Sequence, residues 1–284
     1  MRSLRLTLAG ALSVTALVAG TLATSASAST TLTGCSTATF KTAGKLTVGT
    51  DNPVYEPWFS NSTPSNGKGY EAGLVYAMAK KLGIAASKVQ WQTVPFNSSY
   101  APGTKTFDFD INEISYTADR ASAVSFSNSY YDVQQSVVVL KSSYYAKHHK
   151  LSDLKKAKFG DQVGTTGLDY INNNIHPTTA ARQYDSLDLA VAALTSKQID
   201  AIVVDTPTGN YMVNWQIVDS KSKPLAVQVG QFKSVGEHYG LVLQKDSNLL
   251  TCVNSAIASL KKDGTIAKLT KSYLKDYTSV PLIK

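Results

Sequence analysis

The sequence predicts an α/β protein of two lobes joined by two crossovers. Three observations carry that expectation. Short apolar stretches alternate with segments of helical period, a pattern that covers the faces of parallel sheets with helices. Once a leader is set aside, about 240 residues remain to be ordered, more than one compact core usually holds. Two strand-like stretches, "VQQSVVVLK" and "QVGQFKSVGEHYG", stand where the chain would leave the first lobe and return to it. A pair of crossovers makes a hinge.

The elements follow in order. Arg2 and Arg5 precede an apolar run from Leu6 to about Ala23, and Ala26, Ser27 and Ala28 then offer the small-x-small pattern cut by signal peptidase. Residues 1–28 therefore read as a secretory signal. The run is too short and too rich in Gly, Ser and Thr to span a membrane, and no later segment comes closer, so a soluble mature protein is expected. Residues 29–44 are rich in Ser and Thr without an apolar period and read as a flexible tether. "KLTVGTD" is the first strand, and "GYEAGLVYAMAKKLG" is a helix with Leu74, Val75, Met78 and Leu82 at helical spacing and Gly83 as its stop. "KVQWQTV" and "FDFDINEI" are further strands. After "QSVVVLK" come a short helix in "LSDLKKA", a strand in "KFGDQVG", helices in "GLDYINNNI" and "SLDLAVAALTSKQ", and a strand in "IDAIVVD". The chain returns through "LAVQVGQF" and "HYGLVLQK" to two final helices, "LLTCVNSAIASLKKDG" and "TIAKLTKSYLKDY". These assignments put lobe one at 45–133 plus 231–284 and lobe two at 134–230.

Charge and cysteines narrow the class. The formal net charge of +8 drops to +6 without Arg2 and Arg5, and the lysines are scattered. A nucleic-acid surface would concentrate charge on one face between stacking aromatics, so no nucleic-acid partner is expected. Cys35 and Cys252 are the two cysteines. An even count in an exported chain favours a disulfide between them, closing a very long loop. The competing reading is a lipid anchor at Cys35, since "LTGC" resembles a lipobox. That motif lies beyond the apolar run, behind the polar "TSASASTT", so the disulfide is preferred.

No G-x-S-x-G, P-loop, H-E-x-x-H or C-x-x-C motif is present. His148, His149, His176 and His238 sit in polar contexts without ligand spacing and read as solvated surface, so neither a metal nor a cofactor is expected. What remains are groups that could hold a small ligand. Arg120 follows Ser115 and Thr117 just past a predicted strand end, where open α/β sheets bind ligands. Its planar fork suits a carboxylate, although a surface or helix-start arginine fits the local pattern equally well. "GTTGLDYI" is a glycine-flanked turn whose amides, around Thr165 and Thr166, can face an anion. Asp205 ends the buried strand "IDAIVVD", where it must meet a cation or cap the next turn.

These residues together resemble the extracellular solute-binding proteins of family 3, the amino-acid receptors of ABC importers. The likeness runs from about Leu46 to Tyr277 through "LTVGTD...YEPW", "GYEAGLVYAMAKKLG", "FDFDINEISYTADRASAVSFSNSYY", "VGTTG", "IDAIVVD", "HYGLVLQK" and "LKKDGTIAKL". It implies a periplasmic-binding-protein type II fold and a monomer that binds an amino acid in the interlobe cleft for a membrane permease. It further implies that Arg120 and Ser115 hold the α-carboxylate with the amides of Thr165 and Thr166, that Asp205 receives the α-ammonium, and that Asp51, Tyr55, Trp58 and Phe96 surround the side chain. Two departures stand out. The usual acid of the first helix is replaced by Gly73, and Glu113 stands where the family mostly has a small residue. A Glu113 turned inward beside Asp51 and Glu56 would suit a cationic side chain. The runner-up reading is an enzyme, because cyclohexadienyl and arogenate dehydratases share this fold, with Glu56 or Glu113 as general acid. A sensor domain of a signalling protein is a third, set aside because no transmembrane or kinase segment follows Lys284.

Overall fold

The structure, a computed structural model, describes residues 32–284; the expected leader at 1–28 lies outside them. The chain lays down twelve strands: β1 (Leu46–Thr50), β2 (Val89–Thr93), β3 (Phe109–Asp110), β4 (Val124–Phe126), β5 (Tyr131–Asp132), β6 (Gln135–Leu140), β7 (Gly160–Gln162), β8 (Arg182–Tyr184), β9 (Ala201–Asp205), β10 (Ala226–Gln231), β11 (His238–Tyr239) and β12 (Val242–Gln244). They form two lobes.

The first lobe is a five-stranded sheet in the order β2-β1-β3-β12-β4. Here β1 runs parallel to β2 and β3, and β12 runs antiparallel to β3 and β4. The helix Tyr70–Lys81 buries Tyr70, Leu74, Val75 and Met78 in the same core as Val253, Ala256 and Ile257 of the helix Leu250–Lys262. That contact explains Gly73: a Cβ there would come within 2.8 Å of Leu269 Cδ2, so the departure at this position makes room for the last helices.

The second lobe centres on β10-β6-β9, with β7 and β8 joined to it by a bridge between Phe159 and Ala201. Every residue of β6 is buried. Val138 and Leu140 pack with Val191, Leu194 and Ile202 on one face, while Val137 and Val139 pack with Phe159, Ile171 and Val203 on the other. A two-residue side-chain period covered on both faces reads in sequence as an unbroken apolar run. Helix alternation predicted parallel pairing here, yet β6 is antiparallel to both β9 and β10. The reason is connectivity: β6 carries the chain into this lobe and β10 carries it out, so the two run in opposite senses side by side.

Between the lobes, β5 and β11 pair antiparallel and tie the two connecting segments together. Residues 32–44, read above as a tether, carry no helix or strand and are fastened to the first lobe. Phe40 packs on its core, the Lys41 amide donates to Asp108 at 2.6 Å, and Cys35 is disulfide-bonded to Cys252 with Cα atoms 4.6 Å apart. Asp108 also accepts from the Thr47 amide at 2.7 Å. That duty, with the left-handed φ of 54° at Glu113, shortens the expected strand "FDFDINEI" to two residues.

Candidate functional site

A cavity of about 850 Å³, its open mouth included, lies between the lobes. The first lobe contributes Asp51, Tyr55, Glu56, Trp58, Phe96, Glu113 and Arg120 to its wall; the second contributes Gln135, at the start of β6, with Asp161, Thr165, Thr166, Asp205 and Thr208. Size and composition suit a small polar molecule.

Arg120 lies in the first turn of the short helix Ala118–Ala123, whose start is capped by the Thr117 hydroxyl accepting from the Arg120 amide at 3.1 Å. The backbone is thus that of a helix-start arginine, but the side chain turns inward and is 8 % exposed. Its Nη1 donates to the Ser115 carbonyl at 2.7 Å and its Nη2 to the Gly164 carbonyl at 2.6 Å. The Tyr100 and Phe96 rings lie 4.4 and 5.5 Å from its guanidinium carbon. Five N–H donors meet two carbonyls here, which leaves the fork free to grip an anion. Gly164 has φ of +78°, and a Cβ there would stand 2.8 Å from both Asn97 Oδ1 and Tyr100 Oη, so glycine lets the second lobe's backbone reach the arginine.

Asp205 ends β9 and faces the same cavity. Its Oδ1 accepts from Gln135 Nε2 at 2.5 Å. Burial first, and then the Glu237 charge, push its carboxyl up to about 7. Glu113 sits partly exposed in the cleft, with Oε2 accepting from Thr208 Oγ1 at 2.8 Å and its amide donating to the buried Glu71 at 2.8 Å. Burial, then Glu71 and Asp205, raise the Glu113 carboxyl well above its usual range. Asp161 is buried with Oδ2 unpartnered, and burial raises it likewise. Among the described residues the sole ion pair is Lys81 with Asp263 on the surface. The acids of the cleft therefore have no protein cation within salt-bridge distance, and the site is electrostatically incomplete.

The other expected residues divide into walls and supports. Tyr55 crosses the cleft mouth, donating its hydroxyl to Asp188 at 2.8 Å, with its ring 5.5 Å from that of Tyr211. Trp58 is buried and its Nε1 donates to Thr208 at 3.4 Å. Asp51 accepts from the amides of Asn52 and Phe96. Thr165 caps the helix Thr166–Tyr170, accepting from Leu168 N at 3.2 Å, and Thr166 accepts from Gln135 at 3.3 Å. Ser115 is buried, but its hydroxyl donates to Glu237 at 2.6 Å, so in this arrangement only its carbonyl serves Arg120.

Gln135, Asp161, Glu71 and Glu237 were not foreseen. Asp161 stands in the middle of the short strand β7, with no apolar run to mark it. Gln135 opens β6 and Glu237 lies before β11, where no periodicity marks a site. The histidines gather no ligands: among the described residues no group of three metal-binding side chains occurs.

A two-lobed α/β protein with a polar cleft at its hinge is a small-molecule binder by class. Over residues 46–276 the chain matches the bacterial extracellular solute-binding proteins, family 3, and it belongs to that family. It is 26% identical over 223 residues to the ABC transporter arginine-binding protein 1 of Escherichia coli strain K12, covering 78% of this chain and 87% of that protein. An ancestral arginine-binding protein bound to glutamine superposes with a TM-score of 0.68 at 29% identity, covering 82% of this chain and 99% of the other. An ancestral amino acid-binding protein described as a precursor of cyclohexadienyl dehydratase superposes with a TM-score of 0.65, also at 29% identity, over 82% and 96% of the two chains. Family members are periplasmic or extracellular, and no helix among the described residues is long and apolar enough to cross a membrane.

Proposed function

We propose that this protein is the amino-acid receptor of an ABC importer. One observation carries the reading: a guanidinium, Arg120, and a half-buried carboxyl without a cation, Asp205, face one cavity from opposite lobes. A zwitterion supplies the complement of both. Arg120 takes the α-carboxylate with the amides at Thr165 and Thr166, and Asp205 takes the α-ammonium. Tyr55, Trp58, Phe96 and Asp51 enclose the side chain. The inward carboxyl of Glu113, added to Asp51 and Glu56, favours a polar or cationic side chain, in keeping with the arginine-binding relative.

The lobes divide at 45–133 plus 231–284 and 134–230, and the chain between β5 and β6, with its partner before β11, serves as hinge. Ligand contacts drawn from both lobes favour closure. The closed monomer then docks on a membrane permease outside the cytoplasm, Cys35 being held in its disulfide. Catalysis is not part of the role, and incubation with prephenate or arogenate should release no phenylpyruvate or phenylalanine.

A thermal-shift screen against the twenty amino acids, ornithine, citrulline and cystine tests the proposal, because a ligand of the folded state raises its apparent stability by mass action. At least one amino acid should raise Tm, and Arg120→Ala should weaken its binding by about 2–4 kcal/mol by leaving a carboxylate unpaired. No response to any of them by the intact protein would sink the reading.

A further inference from the structure

Glu237 is an unforeseen carboxylate just behind the site. It precedes β11 on the second connection and does not line the cavity, yet its contacts converge on groups that do. Ser115 of the first lobe donates its hydroxyl to Glu237 Oε1 at 2.6 Å. Gln135, the first residue of β6 in the second lobe, presents Nε2 to Glu237 Oε1 and Oε2 at 3.2 and 3.1 Å and to Asp205 Oδ1 at 2.5 Å. A side-chain amide nitrogen has two hydrogens, so one points to each carboxylate. Gln135 Oε1 is buried without a partner. Nothing on that side of the amide fixes its direction, and the two carboxylates do. A neutral bridge cannot offset two negative charges, and the pair is left calling for a cation on the cavity side of Asp205.

We propose that Glu237 is a positioning residue of the cleft: through Gln135 it holds Asp205 in place for the ligand's ammonium, and it sets a second negative charge behind that contact. The inference rests on the reading that Asp205 receives an α-ammonium. It also links occupancy to the placement of the lobes, since Gln135 opens β6 of the second lobe while Glu237 lies on the segment before β11. The groups facing Asp205 are Glu237 from the segment leading into β11, Tyr239 from β11, Tyr131 from β5, Gln135 from β6, Arg120 and Glu113 from the first lobe, and Asp161 from β7. Glu237 is the carboxylate among them that shares a hydrogen-bond donor with Asp205.

The test uses calorimetric titration of the intact mature protein between pH 5.5 and 9. The probes are the amino acid with the largest thermal shift among the twenty and its α-des-amino acid. Glu237→Gln should weaken the amino acid about tenfold at pH 9, leave the des-amino acid within about twofold, and move the acid-side fall in affinity to lower pH, because one like charge beside Asp205 is gone. Glu237→Asp keeps the charge and should retain the wild-type pH profile with a loss of only a few-fold, and it serves equally if Glu237→Gln does not fold. Equal losses for both probes, or an unchanged affinity and pH profile in Glu237→Gln, would overturn the assignment while leaving the receptor function intact. A wild-type protein that binds none of the twenty, nor ornithine, citrulline or cystine, removes the receptor reading itself, and this inference with it.

Discussion

At the scale of single residues, three carboxyls of the cleft, Glu113, Asp161 and Asp205, are pushed above their ordinary range. Asp205 is pushed up from 3.8 to about 7, by burial and then by Glu237. Two opposite pH effects follow. In the empty protein the folded state holds this proton more tightly than the unfolded chain, so the stabilisation is complete below about pH 4 and is lost as pH rises to about 7. Ligand binding has the reverse slope, because an ammonium pairs with the ionised carboxyl: affinity should fall, by up to about tenfold per pH unit, as pH drops below 7. Asp205→Asn should flatten both trends. Melting curves and titrations of the variant beside the wild type check this, and a variant that keeps the wild-type slope in affinity would place the titrating group elsewhere. Sequence raised Asp205 as a candidate because it ends an apolar strand, and Arg120 because it follows a predicted strand end beside hydroxyls, with the family resemblance deciding between its readings. It could not show that Ser115 would spend its hydroxyl on a glutamate 122 positions away.

At the scale of elements, the loop after β1 and the helix Leu187–Thr195 meet across the mouth of the cleft. Tyr55 donates to Asp188, which also accepts from Gln216 at 2.7 Å, and the Tyr55 ring leans on Tyr211. Behind them, Tyr211, Trp215 and Tyr277 stack in series at 6.0 and 5.5 Å between centroids. The Tyr55–Asp188, Tyr55–Tyr211 and Trp215–Tyr277 contacts join the two lobes, so they should slow reopening more than they select a ligand. Tyr55→Phe removes the hydrogen bond and keeps the ring, and it should speed ligand dissociation several-fold, equally for every amino acid bound, in stopped-flow fluorescence. A change in the ranking of amino acids would instead make the hydroxyl a ligand contact. The helices and long strands were readable from period and composition, as in Tyr70–Lys81 and Ala201–Asp205. The short ones were not: β8, β5 and the helix Thr206–Tyr211 are set by pairing and capping partners far away in the chain.

At the scale of the whole molecule, the disulfide spans 217 positions and fastens the segment before β1 to the helix Leu250–Lys262. A bridge closing so long a loop restricts the unfolded chain strongly, and replacing Cys35 and Cys252 by Ser should lower stability by about 2–4 kcal/mol in denaturant melts with little effect on affinity, because both lie away from the cleft. Titration of the unreduced, denatured protein should find no free thiol; two would exclude the bridge.

The sequence by itself determined the class of fold and the family and favoured the pairing of its two cysteines, because these rest on local period, cysteine number and the spacing of short motifs. Tertiary structure alone decided that β6 pairs antiparallel with both neighbours, that Glu113 turns inward, and that Gln135 and Glu237 stand behind Asp205. Those features depend on which distant segments share a few ångströms of space, and the direction of a buried side chain is set by the partners that satisfy it, not by its neighbours in the chain.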